Sequence, residues 1–121
     1  MNTSTSLRKD PLFLHASGAG FTVLGQVTRL SPHRVTYEFI DCGEEHPNEV
    51  TVHLFSSCDG LQIRAISCLL VEERVSELGS PLSTLMIRRC ELEFQRLTTQ
   101  QERMLWDELA RIWYAGATWR I

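Results

Sequence analysis

Two groups of basic side chains are the residues best suited to bind a ligand. Arg8 and Lys9 are adjacent near the N-terminus, and Arg29 and Arg34 flank a Leu-Ser-Pro-His sequence that contains Ser31. A guanidinium group donates paired hydrogen bonds to a phosphate or to the guanine edge, so these residues can form an anion site. The alternative is an ordinary solvated surface, because two arginines beside a hairpin are common there.

A zinc site can be drawn from four other residues. Cys42, His46, His53 and Cys58 carry thiol and imidazole groups, which are suitable zinc ligands. They lack the closely spaced cysteine pair of structural zinc sites, and His53 falls on the solvent side of a predicted strand. The sequence therefore predicts solvated histidines, free thiols and no metal ion.

No set of residues predicts catalysis. The chain has no Gly-x-Ser-x-Gly nucleophile motif, and no histidine stands where it would act as a general base. Gly18 and Gly20 resemble the start of a dinucleotide fingerprint, but Val23 occupies the third glycine position, and the segment precedes a strand instead of following one. We therefore predict a protein that is not an enzyme and holds no cofactor.

The composition narrows the class of protein further. The chain has 121 residues, of which 43% are hydrophobic and 22% charged, and its formal net charge is -3. These values are typical of one soluble globular domain, and nucleic-acid-binding domains are usually basic. No stretch approaches the roughly 20 apolar residues of a membrane span, and the polar N-terminus leads into no signal peptide. We expect a cytoplasmic protein that binds no nucleic acid and inserts into no membrane.

Alternation of apolar and polar residues predicts the strands that position these side chains. The predicted strands lie in residues 21–39, 49–55, 61–74 and 85–95. Gly25 predicts a bulge or a close backbone approach within the first of them. A phase change near Ala65 and Ile66 predicts a bulge or break. Five or six strands at short spacing favour an antiparallel barrel or sandwich.

The hydrophobic period changes to that of a helix near the C-terminus. Thr98 and Gln101 have the spacing of a capping box, with Thr99 and Glu102 as an overlapping alternative. The apolar spacing that follows predicts an amphipathic helix from Thr99 to Ala115. We expect a flexible segment over residues 1–20, one domain over 21–116 and a tail over 117–121.

Trp106 and Trp113 lie seven residues apart along one edge of the buried stripe of this predicted helix. In one interpretation both rings close the mouth of the barrel. In the other, Trp106 is exposed and forms part of a docking surface, since Trp is enriched at binding hot spots. Both tryptophans are therefore candidate partner-binding residues.

Residues 25–39 resemble the second signature of PilZ domains, which is Asp/Asn-x-Ser-x-x-Gly at the end of one strand and before another. Residues 88–98 and the start of the helix are also similar to that family. The resemblance implies a mainly β fold: a six-stranded antiparallel β-barrel with a C-terminal α-helix, found in bacterial receptors for cyclic di-GMP. In the family, an N-terminal Arg-x-x-x-Arg and the second signature contact the nucleotide.

The signature is matched at one of its three positions. Ser31 stands at the serine position, whereas Arg29 replaces the Asp/Asn and Arg34 replaces the Gly. Arg8 is a candidate first arginine, but Leu12 occupies the position four residues later. The resemblance therefore implies the barrel but an incomplete cyclic di-GMP site.

Three hypotheses follow. The first is a PilZ-like signalling adaptor that binds an unidentified bacterial protein. The second is a cyclic di-GMP receptor that uses the N-terminal pair Arg8 and Lys9 together with Arg29, Ser31 and Arg34. The third, a small β-barrel enzyme or metal protein, has no residue set in its favour.

Overall fold

Six strands and one helix make up the fold. The computed structural model describes residues 11–56, 60–77 and 85–115. The elements are β1 (Leu12–Gly18), β2 (Phe21–Leu30), β3 (Arg34–Ile40), β4 (Glu49–Ser56), β5 (Gln62–Glu77), β6 (Met86–Arg96) and α1 (Thr99–Ala115). The strands close into a barrel in the order β1-β2-β3-β6-β5-β4, and each neighbouring pair is antiparallel. The predicted six-stranded barrel with a C-terminal helix is confirmed.

β1 is the main difference from the expected organisation. Residues 1–20 were expected to be flexible, but Leu12–Gly18 form a strand between β2 and β4. The expectation was wrong for these residues because the Gly-Ala-Gly sequence is a tight turn and not a linker. Ala19 and Gly20 have φ angles of 46° and 80°, which are those of a two-residue hairpin turn. Residues 1–10 lie outside the described part of the chain.

The core is built from inward-facing apolar side chains of all six strands. Alternate residues are buried along most of β1, β3 and β4, as the period of a strand requires. Leu105 and Leu109 of α1 are each 1% exposed and belong to the same cluster. The helix is therefore part of the domain. No helix among the described residues is both long and apolar enough to cross a membrane.

Gly25 marks a close approach between β2 and β3. A Cβ atom there would lie 2.5 Å from the Glu38 carbonyl oxygen and 2.6 Å from Cδ2 of Tyr37. Such distances are far inside van der Waals contact, so only glycine allows the Tyr37 ring to lie over the strand. Of the two alternatives predicted for Gly25, the close approach is confirmed.

The predicted bulge in β5 is also confirmed. The register of β4 and β5 shifts between Val52 and Leu54, and Ala65 adopts a φ of 58° opposite this shift. A second irregularity separates Val27 from Arg29 in the pairing of β2 with β3. That bulge bears on the candidate site, because it changes which side chains of β2 face outward.

Candidate functional site

The candidate site lies on the outer face of the barrel, where β2 and β3 form a hairpin. The β2 bulge leaves two consecutive side chains, Thr28 and Arg29, both exposed, although neighbouring strand residues normally face opposite sides. The Thr28 hydroxyl donates to the Thr36 carbonyl oxygen at 3.4 Å. The bulge thus presents the Arg29 guanidinium on the outer sheet next to Thr28.

Ser31 is occupied within the hairpin turn. Its Oγ accepts hydrogen bonds from the backbone N–H groups of His33 at 3.3 Å and Arg34 at 3.0 Å. Its hydroxyl also lies 3.3 Å from the Arg34 carbonyl oxygen, to which it donates. The side chain therefore stabilises the turn, in the manner of serine hydroxyls in short turns.

The two arginines of the hairpin differ in their partners. Nη1 of Arg34 lies 2.8 Å from Oε2 of Glu91, and this hydrogen bond with its charge raises the pKa of Arg34. Arg29 forms no ion pair with any described residue, so its guanidinium keeps its hydrogen-bonding capacity. It lines a groove of about 410 Å³ together with Thr28, Thr36, Glu72, Arg74, Arg89 and Glu91.

The other predicted site residues lie elsewhere. Arg8 and Lys9 are outside the described residues, so their part in a ligand site stays a prediction. Trp106 is on α1 and not on the hairpin, and it is 46% exposed. The backbone at Trp113 is helical, but its side chain is outside the described part of the structure.

An apolar groove lies on the same outer sheet as the arginines. Leu24 of β2 is 59% exposed and Ile40 of β3 is 53% exposed. Together with Phe13 and Ile87 they line a groove of about 330 Å³, which Gln26 and Glu38 border. Adjacent apolar side chains exposed in this way are typical of a protein-binding surface.

A buried charge inside the barrel was not foreseen from the sequence. Arg88 of β6 is 5% exposed, and its guanidinium pairs with the carboxylates of Asp41 and Glu73. It also donates to the Glu44 carbonyl oxygen at 2.6 Å and lies 5.3 Å from the centre of the Phe39 ring. The signal in the sequence was a single arginine at an inward position of a strand that otherwise buries apolar side chains.

His46 is the second unforeseen feature, and it corrects the prediction of a solvated histidine. The ring is 6% exposed, and Nδ1 lies 2.8 Å from the Pro47 carbonyl oxygen, to which it must donate. Nε2 of the neutral ring then accepts from the Tyr37 hydroxyl at 2.8 Å. Burial lowers the pKa of His46 and raises the pKa of Tyr37. The hydrogen bond between His46 and Tyr37 therefore satisfies both polar groups inside the core.

The residues considered as zinc ligands have separate environments. His46 is buried with Tyr37, and Nδ1 of His53 accepts from the Ala65 N–H at 3.1 Å. Cys42 is an exposed free thiol, and Cys58 lies outside the described residues. Over the residues that the structure describes, no group of three or more His, Cys, Asp or Glu side chains is arranged to hold a metal.

Solved structures share this fold. MrkH, described as a cyclic di-GMP-dependent transcription regulator, matches with a TM-score of 0.69 at 11% identity over 89% of this chain and 48% of its own. The PilZ domain of YcgR from Escherichia coli, with cyclic di-GMP, matches with a TM-score of 0.66 at 12% identity over 88% of this chain and 92% of its own.

PlzA of Borreliella burgdorferi, in complex with cyclic di-GMP, matches with a TM-score of 0.57 at 15% identity over 82% of this chain. This chain spans about half the length of MrkH and of PlzA, 48% and 45% respectively. No family model and no curated protein matches the sequence. The likeness is one of structure, and it shows that this chain has the fold of PilZ domains.

Proposed function

We propose that this protein is a non-enzymatic signalling adaptor with a PilZ-like fold, which acts in the cytoplasm by binding another bacterial protein. The observation that carries the proposal is the apolar groove between Leu24 and Ile40. Both side chains are more than half exposed on a regular outer sheet. Burying them against a partner contributes about 25 cal/mol per Å² of apolar area removed from water.

Three residues also support the proposal, because each differs from the residue that the PilZ signatures have at its position. The Watson–Crick edge of guanine donates from its N–H groups and needs an acceptor, whereas the Arg29 guanidinium at the acidic position of the signature has donors only and can contact only the O6 and N7 acceptors. Arg34, which replaces the glycine, is held by Glu91. Leu12, at the position of the second arginine, is 4% exposed and belongs to the core. These three substitutions disfavour tight binding of cyclic di-GMP.

Co-purification of the tagged full-length chain from the cells that make it tests the adaptor function. We expect one specific partner to be retained by the wild-type chain and lost from the double variant Leu24→Ser, Ile40→Ser. The matched control is Val71→Ser, Val75→Ser, which removes two exposed apolar side chains of β5 and should retain the partner. Equal loss from both double variants would contradict a specific role for the Leu24–Ile40 groove.

Trp106 provides a second surface for the same test. Because its ring is 46% exposed, Trp106→Ala should leave the domain folded. A variant that folds normally but loses the partner would place the docking surface on α1. A variant that unfolds would instead support the interpretation that the ring seals the core.

A cyclic di-GMP receptor is the second candidate function. Arg29 favours it, because this guanidinium forms no ion pair with the described residues and can contact a phosphate. The receptor would combine Arg29, Ser31 and Arg34 with the N-terminal Arg8 and Lys9. Calorimetric titration of the full chain with cyclic di-GMP separates the two functions. A submicromolar dissociation constant at physiological salt would favour the receptor over the adaptor.

A further inference from the structure

Beyond the pair Arg34 and Glu93 next to the turn, three rows of side chains cross the outer face of β2, β3 and β6. The cationic row consists of Arg29, Thr36 and Glu91, which are successive partners in the register. The ion-pair row consists of Gln26, Glu38 and Arg89, which are also successive partners. The apolar row consists of Leu24, Ile40 and Ile87, which line one groove. One face thus changes from charged to apolar along the strands.

Ion pairs neutralise most of the charge on this face. Glu91 pairs with Arg34 at 2.8 Å, and Glu38 pairs with Arg89 at 2.5 Å. Beyond the three rows, Glu72 of β5 pairs with its strand neighbour Arg74 at 2.8 Å. Arg29 forms no ion pair with any residue that the structure describes. Three arginines and two glutamates line the groove at the cationic row, so its lining has a net charge of +1, and Glu93 lies outside this lining.

The spacing of residues along β3 sets the distance between the cationic row and the apolar row. Thr36 and Ile40 are four residues apart on β3, and a strand advances about 3.3 Å per residue. The cationic and apolar rows are therefore about 13 Å apart. An extended peptide spans the same distance with four residues.

We infer that this face binds a segment of a partner protein that carries an apolar side chain and a carboxylate about 13 Å apart. The apolar side chain occupies the groove between Leu24 and Ile40, and the carboxylate pairs with Arg29. The inference rests on the proposed adaptor function, because it specifies the chemistry of the partner.

A carboxylate fits the cationic row better than a phosphate monoester does. A carboxylate carries a single negative charge, which one guanidinium matches with two parallel hydrogen bonds. Phosphate monoesters carry about -1.5 to -2 at neutral pH and are typically bound by clusters of arginines. Here Glu72 and Glu91 line the same groove and repel a second negative charge. The residual charge of the groove therefore selects a monoanion.

Peptide binding by the full-length chain tests the inference. The probe is an acetylated and amidated eight-residue peptide of serine and threonine, with one leucine and one glutamate four positions apart, prepared in both orders. Binding is followed through the backbone amide signals of residues 28–40 in an isotope-labelled sample. We expect Arg29→Gln to weaken binding of the better peptide at least tenfold. The same substitution should leave binding of the peptide with glutamine in place of glutamate unchanged.

Arg96→Gln is the matched control, because Arg96 is an exposed arginine of β6 that does not line the groove. It should change the affinity less than threefold. Equal effects of the two substitutions would show non-specific charge attraction and overturn the inference. Equally tight binding of a peptide whose leucine and glutamate are two positions apart would also overturn the inference. Displacement of the peptide by an equal concentration of inorganic phosphate would assign the site to phosphate instead.

Failure of this inference is distinguishable from failure of the proposed function. If the peptide experiment shows no coupling to Arg29 but the Leu24→Ser, Ile40→Ser variant still loses its cellular partner, only the chemistry of the partner segment is wrong. If the chain binds cyclic di-GMP at submicromolar concentration and retains no partner, the adaptor function itself is wrong.

Discussion

Arg88 keeps a buried charge because the groups around it replace the water that it loses. The carboxylates of Asp41 and Glu73 pair with its guanidinium, and the Phe39 ring lies against it. Its Nε atom is buried and has no hydrogen-bond partner among the residues that the structure describes. Because Asp41 and Glu44 lie between β3 and β4, and Glu73 lies on β5, the guanidinium joins three parts of the chain.

The first prediction is that Arg88→Met destabilises the domain strongly. The substitution leaves the carboxylates of Asp41 and Glu73, which are 18% and 35% exposed, without their cation, and we expect a loss of about 1–3 kcal/mol of unfolding free energy. Arg89→Met is the control, because its side chain is 61% exposed and pairs only at the surface, where ion pairs contribute about 0–1 kcal/mol. Urea unfolding measures both. Equal losses in the two variants would contradict the role of Arg88.

The second prediction is that burial of His46 makes the unfolding free energy fall in acid. Burial lowers the pKa of His46 in the folded chain below its ordinary value of 6.5, so the unfolded chain binds more protons. The unfolding free energy therefore falls as the pH drops through 6.5 toward the folded pKa, and this contribution is fully present above 6.5. We expect His46→Gln to lose less stability than the wild-type chain between pH 7.5 and 5.5. Parallel pH profiles of the two proteins would contradict this assignment.

At the scale of elements, Gln101 joins the start of α1 to the bulge of β5. Its Oε1 accepts from the Thr98 N–H at 2.9 Å, and the Thr98 hydroxyl accepts from the Gln101 N–H at 3.0 Å. Its Nε2 donates to the carbonyl oxygens of Arg64 at 2.6 Å and Ala65 at 3.2 Å. The capping box is therefore also a tertiary contact.

The third prediction is that Gln101→Ala destabilises the domain by about 1–3 kcal/mol, because a helix cap and two further hydrogen bonds are lost together. Gln100→Ala is the control, since Gln100 is an exposed residue one position away, and it should change the unfolding free energy by less than about 0.5 kcal/mol. Thermal and urea unfolding measure both. Equal effects would mean that the contact with β5 contributes nothing.

Elements with a long and regular pattern were predictable from the sequence. β3 and β4 alternate between apolar and polar residues, and the change of period at Thr98 indicated the helix with its cap. β1 was missed because its seven residues precede a Gly-Ala-Gly sequence, and glycine is equally compatible with a linker and with a hairpin turn. The turn becomes evident only when β1 pairs with both β2 and β4.

The site was predictable only in part, for a different reason. The arginines of the β2–β3 hairpin stood out by residue type, but their partners depend on register. Glu91 is 57 positions from Arg34 in sequence, and no local pattern joins them. The same holds for Arg88 and Asp41, which are 47 positions apart. Local sequence thus identifies which side chains face outward, whereas the barrel decides which of them are free.

At the scale of the whole molecule, the chain has the fold of PilZ domains. The β2–β3 hairpin carries Arg29 and Arg34 at the positions where the resemblance to the PilZ signature implies an acceptor and a glycine. Arg34 has no positive φ, so glycine is not needed there for the backbone conformation. An arginine at this position is therefore compatible with the backbone of the hairpin.

The fourth prediction is that the wild-type chain binds cyclic di-GMP weakly or not at all, and that Arg29→Asp with Arg34→Gly improves binding without making it tight. The aspartate restores an acceptor for guanine, and charge-assisted hydrogen bonds contribute roughly 1.5–3 kcal/mol each. Losing the Arg34–Glu91 pair should change the stability little, because it is a solvent-exposed surface pair. Binding stays weaker than micromolar because Leu12, in the core, cannot act as the second arginine of the first motif.

Calorimetric titration at physiological salt measures this prediction, and Arg89→Asp is its control. That substitution also places an aspartate on the outer sheet, but away from the turn of the hairpin, so it should not improve binding. A double variant that binds no better than Arg89→Asp would show that these two positions do not limit the affinity. The obstacle would then lie in the N-terminal motif, because an arginine in place of the core residue Leu12 would bury an unpaired charge in the barrel.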